Sequence, residues 1–357
     1  MTPGSHLSLL HIVGARPNLP KLAPVFRAAS HRGVTQRVVH TGQHYDDALW
    51  ASLLRDLCLA PPDVDLEVGS GTHAVQTARI MERLEPVIAD ARPDWVVVYG
   101  DVNSTLAATL VAAKLGIPSA HVEAGLRSGD RTMPEEINRL VADRLASLLL
   151  TPSRDADVTL LAEGMAPASI RFVGNVMIDS VRDALPRARA LRPATAGTDH
   201  VLVTLHRPSN VDDPARLATV AAALRAIAAE RPVIFPVHPR TRDRLRAANI
   251  DLGAVTMLEP LGYIAMLAWL ETAHVVVTDS GGVQEETTAL GVPCLTVRDT
   301  TERPITIHQG TNQLCPDPAA LPALVRAAAR PRTPRVPEGW DGHAGERIVD
   351  ALVAGPL

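Results

Sequence analysis

Short runs of β-branched and apolar residues alternate along this chain with longer segments whose apolar residues recur at helical spacing. That alternation marks repeated β-α units, whose strands pair in parallel because each crossover helix returns the chain to the same sheet edge. The expected strands are 7–13, 36–40, 95–99, 119–122, 201–205, 233–236 and 274–278. Most are too apolar to alternate in and out, as expected of strands covered by helices on both faces. The 357 residues exceed the length at which one hydrophobic core stops growing, about 250–300 residues, so two domains are expected. Between two sets of strands, "DALPRARALRPATAGTD" (183–199) carries Pro186, Pro193 and Gly197 and reads as a hinge region that interrupts regular structure.

Composition narrows the partners. The net charge is −4 with acids and bases interspersed, which suggests neither a nucleic-acid arm nor a membrane-surface patch and leaves small molecules. Cys58, Cys294 and Cys315 are the only cysteines and none forms a Cys-x-x-Cys pair, so neither a disulfide framework nor a structural zinc site is expected, and a cytoplasmic location fits. No basic leader or membrane-length apolar run is visible, so the chain reads as soluble and unexported.

In parallel sheets, ligands bind beyond the carboxyl ends of the strands, so polar residues directly after apolar runs are the candidates. After 7–13 come Arg16 and Lys21 beside Pro17 and Pro20, either an anion site at a helix start or solvated charges on a turn. Asp101 follows 95–99 and either caps the next helix or faces a ligand. Glu123 follows 119–122; if the two strands are neighbours, two carboxylates share one rim and repel, raising one pKa so that the pair can work as acid and base. Glu135 stands three residues after Thr132, the spacing of a capping box, on a helix whose expected core face is Ile137, Leu140, Val141, Leu145 and Leu148. Glu136, Asp143 and the nearby arginines read as an ordinary helix surface. His206 and Arg207 end 201–205, and a strand-end histidine titrates near working pH. Last, "TDSGGVQEE" places Ser280, Gly281 and Gly282 at a helix start, where bare amides can meet a diphosphate, and Glu285 and Glu286 in that helix, where a carboxylate one turn in can accept ribose hydroxyls. The P-loop and Gly-x-Gly-x-x-Gly patterns are both absent, which disfavours a nicotinamide cofactor. His121 and Glu123 point the same way along a strand, but spacing implies no third metal ligand, so no metal is expected.

With "GARPNLPKLAPV", "TGQHYDDAL", "YGDVNST", "HVEAGLRSGD", "MPEEINR", "VGNVMIDS", "LHRPSNVDD", "PVHPRTR", "TDSGGVQEE" and "RDTTERPI" in this order, the sequence resembles the UDP-N-acetylglucosamine 2-epimerase family over nearly its whole length. The resemblance implies an α/β, GT-B-like fold of two Rossmann-like domains whose parallel sheets face across a deep cleft: 1–174, rejoined by about 342–357, and a UDP-binding domain, 175–341. It implies a homodimer, no cofactor, and a UDP-sugar substrate. It places the diphosphate at Ser280, Gly281 and Gly282 and the ribose at Glu286. Positive charge would come from Arg16, Lys21 and Arg303, and the sugar would lie among Asp101, Glu123, Glu135 and His206.

The activity so implied is C2 epimerisation of UDP-N-acetylglucosamine to UDP-N-acetylmannosamine, by elimination of UDP to a 2-acetamidoglucal and re-addition. Three rivals remain: a hydrolysing epimerase that releases N-acetylmannosamine, a GT-B glycosyltransferase, and a silent UDP-sugar-binding regulator. Two departures stand out: Asn18 where many members carry Glu after Arg-Pro, and "VGSGTHAVQTAR" (68–79), which differs from substrate-activated bacterial members. A second UDP-sugar site would draw on Gln43, His44, Glu136, Arg207 and His238.

Overall fold

A computed structural model describes residues 7–42, 47–192, 199–333 and 336–355. The chain divides into two compact units, 1–180 with 338–357, and 181–337. The first holds strands β1 (Ser8–Val13), β2 (Thr35–His40), β3 (Val64–Asp65), β4 (Trp95–Tyr99), β5 (Ser119–Val122), β6 (Leu148–Thr151) and β7 (Ile170–Phe172), paired in parallel in the order β3-β2-β1-β4-β5-β6-β7. The second holds β8 (Val201–Thr204), β9 (Val233–Pro236), β10 (Thr256–Leu258), β11 (Val275–Thr278), β12 (Cys294–Thr296) and β13 (Asn312–Leu314), in the order β10-β9-β8-β11-β12-β13. Both are Rossmann-like sheets, and in each the strand order reverses beside the first strand, between β1 and β4 and between β8 and β11. At that reversal the flanking connections run to opposite sides and leave a crevice for a ligand.

The central strands are apolar because helices cover both faces. All of "WVVVY" in β4 is buried, as is all of "VVVT" in β11, and each buried valine contributes about 1.5–3 kcal/mol relative to an exposed one. His11 on β1 is one of the polar exceptions. Its Nδ1 lies 2.8 Å from the Tyr99 hydroxyl and its Nε2 2.9 Å from Gln36 Oε1, and burial lowers its pKa to about 4 despite the Gln36 bond, so it is a neutral core residue.

Two local expectations are overturned. Residues 183–190 do not interrupt the chain: they belong to the helix Val176–Ala190, with Pro186 inside it. Val181, Ala184 and Ala188 form its buried stripe against Ile264, Leu267 and Ala268 while Pro186 stays exposed, so apolar burial outweighs the one backbone bond proline removes. Pro193 and Gly197 lie outside the described residues.

The second correction concerns the helix Pro134–Leu145, which buries Glu136, Asn138, Arg139, Ala142 and Asp143 and leaves Ile137 exposed. Its inward face is polar because it packs against the strand ends that carry the acids, and Leu148 belongs to β6. The capping box is not formed either. Met133 is the N-cap without a side-chain bond, and Thr132 Oγ1 donates to Asp130 instead.

The C-terminal residues complete the first unit. Trp340 is buried with its indole N–H donating to the Pro152 carbonyl at 3.0 Å, and the Trp95 indole donates to the Leu352 carbonyl at 3.1 Å. The helix Ala344–Ala354 packs on Leu19–His31 at Gly345, where a Cβ would stand 2.8 Å from the Pro24 carbonyl oxygen.

Candidate active site

In the first unit the switch point gathers the turns after β1, β4 and β5. Asn18 ties the first two together: its Oδ1 accepts from the backbone N–H groups of Gly14 and Ala15, each at 3.0 Å, and its Nδ2 donates to the Tyr99 carbonyl at 2.8 Å. A glutamate here could accept but could not donate to Tyr99, so the amide at this position is used in full. Asn18→Ala strands two buried N–H groups, while the Tyr99 carbonyl keeps the Thr105 hydroxyl at 3.0 Å, and the expected loss is on the order of 3 kcal/mol in denaturant unfolding.

β4 and β5 are adjacent, so Asp101 and Glu123 do follow neighbouring strand ends. Each, however, faces its own cation. Lys21 Nζ donates to Glu123 Oε2, both side chains being buried; Arg139 Nη1 donates to Asp101 Oδ2, and Asn138 Nδ2 donates to the Asp101 carbonyl at 2.8 Å. The mutual repulsion expected from sequence is replaced by two separate ion pairs. Glu123 also has φ +76°, a left-handed conformation that is strained for a non-glycine residue and that clusters at functional sites. Gly100, at φ +65°, precedes Asp101, and a Cβ there would stand 2.7 Å from Lys21 Nζ.

Glu135 lies half-buried in the first turn of its helix, with no hydrogen bond or ion pair among the described residues. Glu136, read from sequence as surface, is 2% exposed. Its carboxylate accepts from the N–H groups of Ser128 and Gly129, the Ser128 hydroxyl and two nitrogens of Arg139. Burial pushes its pKa up, but these donors outweigh burial and hold it below the usual range. Asp143 is buried as well, against His121, Gly125 and Arg127. Lys21, Arg139, Asn138 and Asp143 thus build this half-site as much as the strand-end acids do.

In the second unit the turns after β8 and β11 meet at Asp279, which is fully buried. It accepts from the backbone N–H of His206 at 3.0 Å, the N–H of Arg207 at 2.9 Å and Asn210 Nδ2 at 3.1 Å, and His206 Nδ1 lies 3.1 Å from its Oδ1. Burial raises the Asp279 pKa, but the His206 side chain, the Arg207 N–H and Asn210 more than reverse that and keep it ionised. An aspartate on Nδ1 orients a histidine and leaves Nε2 for a ligand. The imidazole is 43% exposed.

The helix Gly281–Leu290 starts at Ser280 without a side-chain cap, so its first amides are available to an anion. Arg303 packs against the start of this helix, in the space a Cβ at Gly281 would need. Its guanidinium pairs with Glu285 at 3.0 Å and with Glu302, which also binds Arg298 at 2.8 Å. Glu286 is buried beside this network, and desolvation, then Glu285, raise its pKa to about 8. A protonated Glu286 leaves two guanidinium groups balanced by Glu285 and Glu302, and it can donate as well as accept. The Tyr263 hydroxyl is buried and has no hydrogen-bond partner among the described residues.

Of the cations assigned from sequence to the diphosphate, Lys21 pairs with Glu123 and Arg303 with Glu285 and Glu302, whereas Arg16 has no ion pair among the described residues. For a second sugar site, Gln43 and His44 lie outside the described residues. Glu136 is occupied as above, Arg207 approaches Glu302 at 4.0 Å, and His238 is exposed and caps the helix Pro239–Ala247 through the Arg240 N–H. Among the described residues no group of three or more His, Cys, Asp or Glu side chains could hold a metal ion, and none of the helices is long and apolar enough to cross a membrane.

The sequence model of a family described as UDP-N-acetylglucosamine 2-epimerase matches residues 27–353. The UDP-N-acetylglucosamine 2-epimerase of Methanocaldococcus jannaschii is 39% identical over 98% of this chain and 100% of its own. The UDP-2,3-diacetamido-2,3-dideoxy-D-glucuronate 2-epimerase of Pseudomonas aeruginosa is 40% identical over 86% of this chain and 88% of its own. A crystal structure of the Methanocaldococcus enzyme in complex with UDP-GlcNAc and UDP superposes with a TM-score of 0.89, covering 98% of this chain and 100% of that one. The α/β fold with two parallel sheets is accordingly GT-B-like.

Proposed function

The chain belongs to the UDP-N-acetylglucosamine 2-epimerase family of enzymes, and from that premise we propose that it interconverts UDP-N-acetylglucosamine and UDP-N-acetylmannosamine without releasing free sugar. The observation that carries this reading is the pair of cation-matched carboxylates, Asp101 with Arg139 and Glu123 with Lys21, at the switch point of the first unit. Carboxylates so placed can take a proton from carbon and return one.

The proton at sugar C2 is only weakly acidic, so removing it needs an outlet for the electrons. A carboxylate takes that proton, the C1–C2 double bond forms, and the C1–O bond breaks with its electron pair leaving on UDP. The products are a 2-acetamidoglucal and UDP, both retained. Return of a β-phosphate oxygen to C1, with protonation of C2 from the opposite face, gives the epimer. Two acid/base groups on opposed faces are needed, and Asp101, Glu123 and Glu135 supply the set. In the second unit, the amides of Gly281 and Gly282, next to Ser280, hold the diphosphate, Glu286 takes the ribose, and His206, fixed by Asp279, donates to the departing oxygen. Arg16 adds charge that favours UDP as a leaving group.

Oxygen-18 placed in the C1–O–P bridge tests the outlet. Cleavage makes the β-phosphate oxygens equivalent, so label is expected to scramble into non-bridging positions; label that stays in the bridge excludes elimination. Free N-acetylmannosamine as the product would make the enzyme the hydrolysing kind. A second reading comes from the Pseudomonas relative, whose named substrate carries a second acetamido group and a C6 carboxylate. The same assay with that UDP-sugar separates the two by kcat/KM.

A further inference from the structure

We infer that His121 and Asp143 are a buried positioning pair that clamps the two turns carrying Asp101 and Glu123. His121, on β5, is fully buried. Its Nε2 lies 2.7 Å from the Gly100 carbonyl oxygen and its Nδ1 2.6 Å from Asp143 Oδ1. A carbonyl can only accept, so Nε2 carries a hydrogen. Asp143 Oδ2 receives the Gly125 N–H at 3.0 Å and Arg127 Nη1 at 2.7 Å. Burial pushes the Asp143 carboxyl up, but His121 and Arg127 together hold it below the usual range. The row runs on from His121 and Asp143 through Arg127 to Glu163, the last 2.7 Å from Arg127.

The placement of this row gives it a task. Gly100 immediately precedes Asp101, and its carbonyl is held by His121; Gly125 lies two residues after Glu123, and its N–H is held by Asp143. Glu123 has left-handed backbone at φ +76°, a conformation that a residue with a Cβ keeps only where the surroundings fix it; Gly100 and Gly125, at φ +65° and +84°, take theirs freely because they lack a Cβ. One histidine–aspartate pair therefore fixes both acid-bearing turns to one helix. Because a buried ion pair offers little net stability over an apolar replacement, its contribution is geometric. Both nitrogens of His121 are engaged, which also leaves it no lone pair for a metal.

The part of this inference that concerns catalysis rests on the epimerase reading; the hydrogen bond from His121 to the Gly100 carbonyl does not. Nitrogen-15 NMR of the full chain, with the His121 ring assigned by triple resonance and therefore without a variant, is expected to show a hydrogen on Nε2 that exchanges slowly with solvent. A bare Nε2 overturns the proposal. In His121→Gln, kcat is expected to fall about 100-fold through misplaced acids, while KM and UDP affinity stay close to the parent values. Asp143→Asn is expected to lower kcat in the same way. Unchanged kcat in a folded variant, or a loss carried by KM alone, overturns the positioning role. If the wild-type protein turns over no UDP-sugar, the epimerase reading fails while the NMR result still decides whether His121 holds the Gly100 turn.

Discussion

Glu123→Gln is expected to lower turnover of UDP-N-acetylglucosamine by about 1,000-fold, within the range a positioned acid or base contributes, with UDP affinity nearly unchanged. The substitution keeps the shape of the side chain, and the diphosphate contacts proposed above, Arg16 apart, belong to the other unit. What is lost is a buried carboxylate at the end of β5. The change also leaves Lys21, 6% exposed, as a buried cation without its carboxylate, a situation that typically costs about 3–5 kcal/mol. Loss of activity therefore has to be separated from loss of fold. Adding Lys21→Met removes the orphaned charge, so the double variant is expected to regain stability in thermal unfolding without regaining turnover. Recovery of activity along with stability would remove Glu123 from the acid/base set.

The second large effect is in stability. Glu286 titrates at about 8 in the folded chain against an ordinary value of 4.5. Between those two values the folded state binds a proton that the unfolded state has released. Stability from this group is therefore complete below pH 4.5 and falls as pH rises toward about 8. Glu286→Gln keeps a donor and an acceptor but cannot ionise. Near pH 8.5 it is expected to exceed the wild type in stability by on the order of 4 kcal/mol, and near pH 5 to differ little. Denaturant unfolding at the two pH values checks this, and equal stabilities at the higher one would mean that Glu286 is buried as an anion.

The strongest strands were legible because a fully buried strand has to be apolar on both faces, and "WVVVY" and "VVVT" have no other stable use. The short edge strands β7, β10 and β13 were not legible, since three residues are too few to carry a pattern. β6 was absorbed into the preceding helix because Leu145 and Leu148 fall at helical spacing. Asp101, Glu123, His206 and Ser280 could be picked out because the carboxyl ends of parallel strands converge wherever the sheet reverses its order. Their partners could not, because which helix face turns inward is set by tertiary packing. The helix Pro134–Leu145 shows this most clearly. Its apolar residues suggested a core face, yet Glu136, Arg139 and Asp143 are the ones buried, held by ion pairs whose other members lie on β5, on the turn after β4 and in the loop 123–131. Asp279 carried the same strand-end signal as Asp101 and was passed over for the glycines that follow it.

The central claim, proton exchange at C2 through a retained glucal, is tested most directly by incubating the protein with UDP-N-acetylglucosamine in deuterated water and following C2 by proton NMR. The expected result is loss of the C2 proton signal from both epimers while the sugar stays joined to UDP. Epimers that interconvert with the original proton retained, or a starting sugar that neither exchanges nor converts, would contradict it.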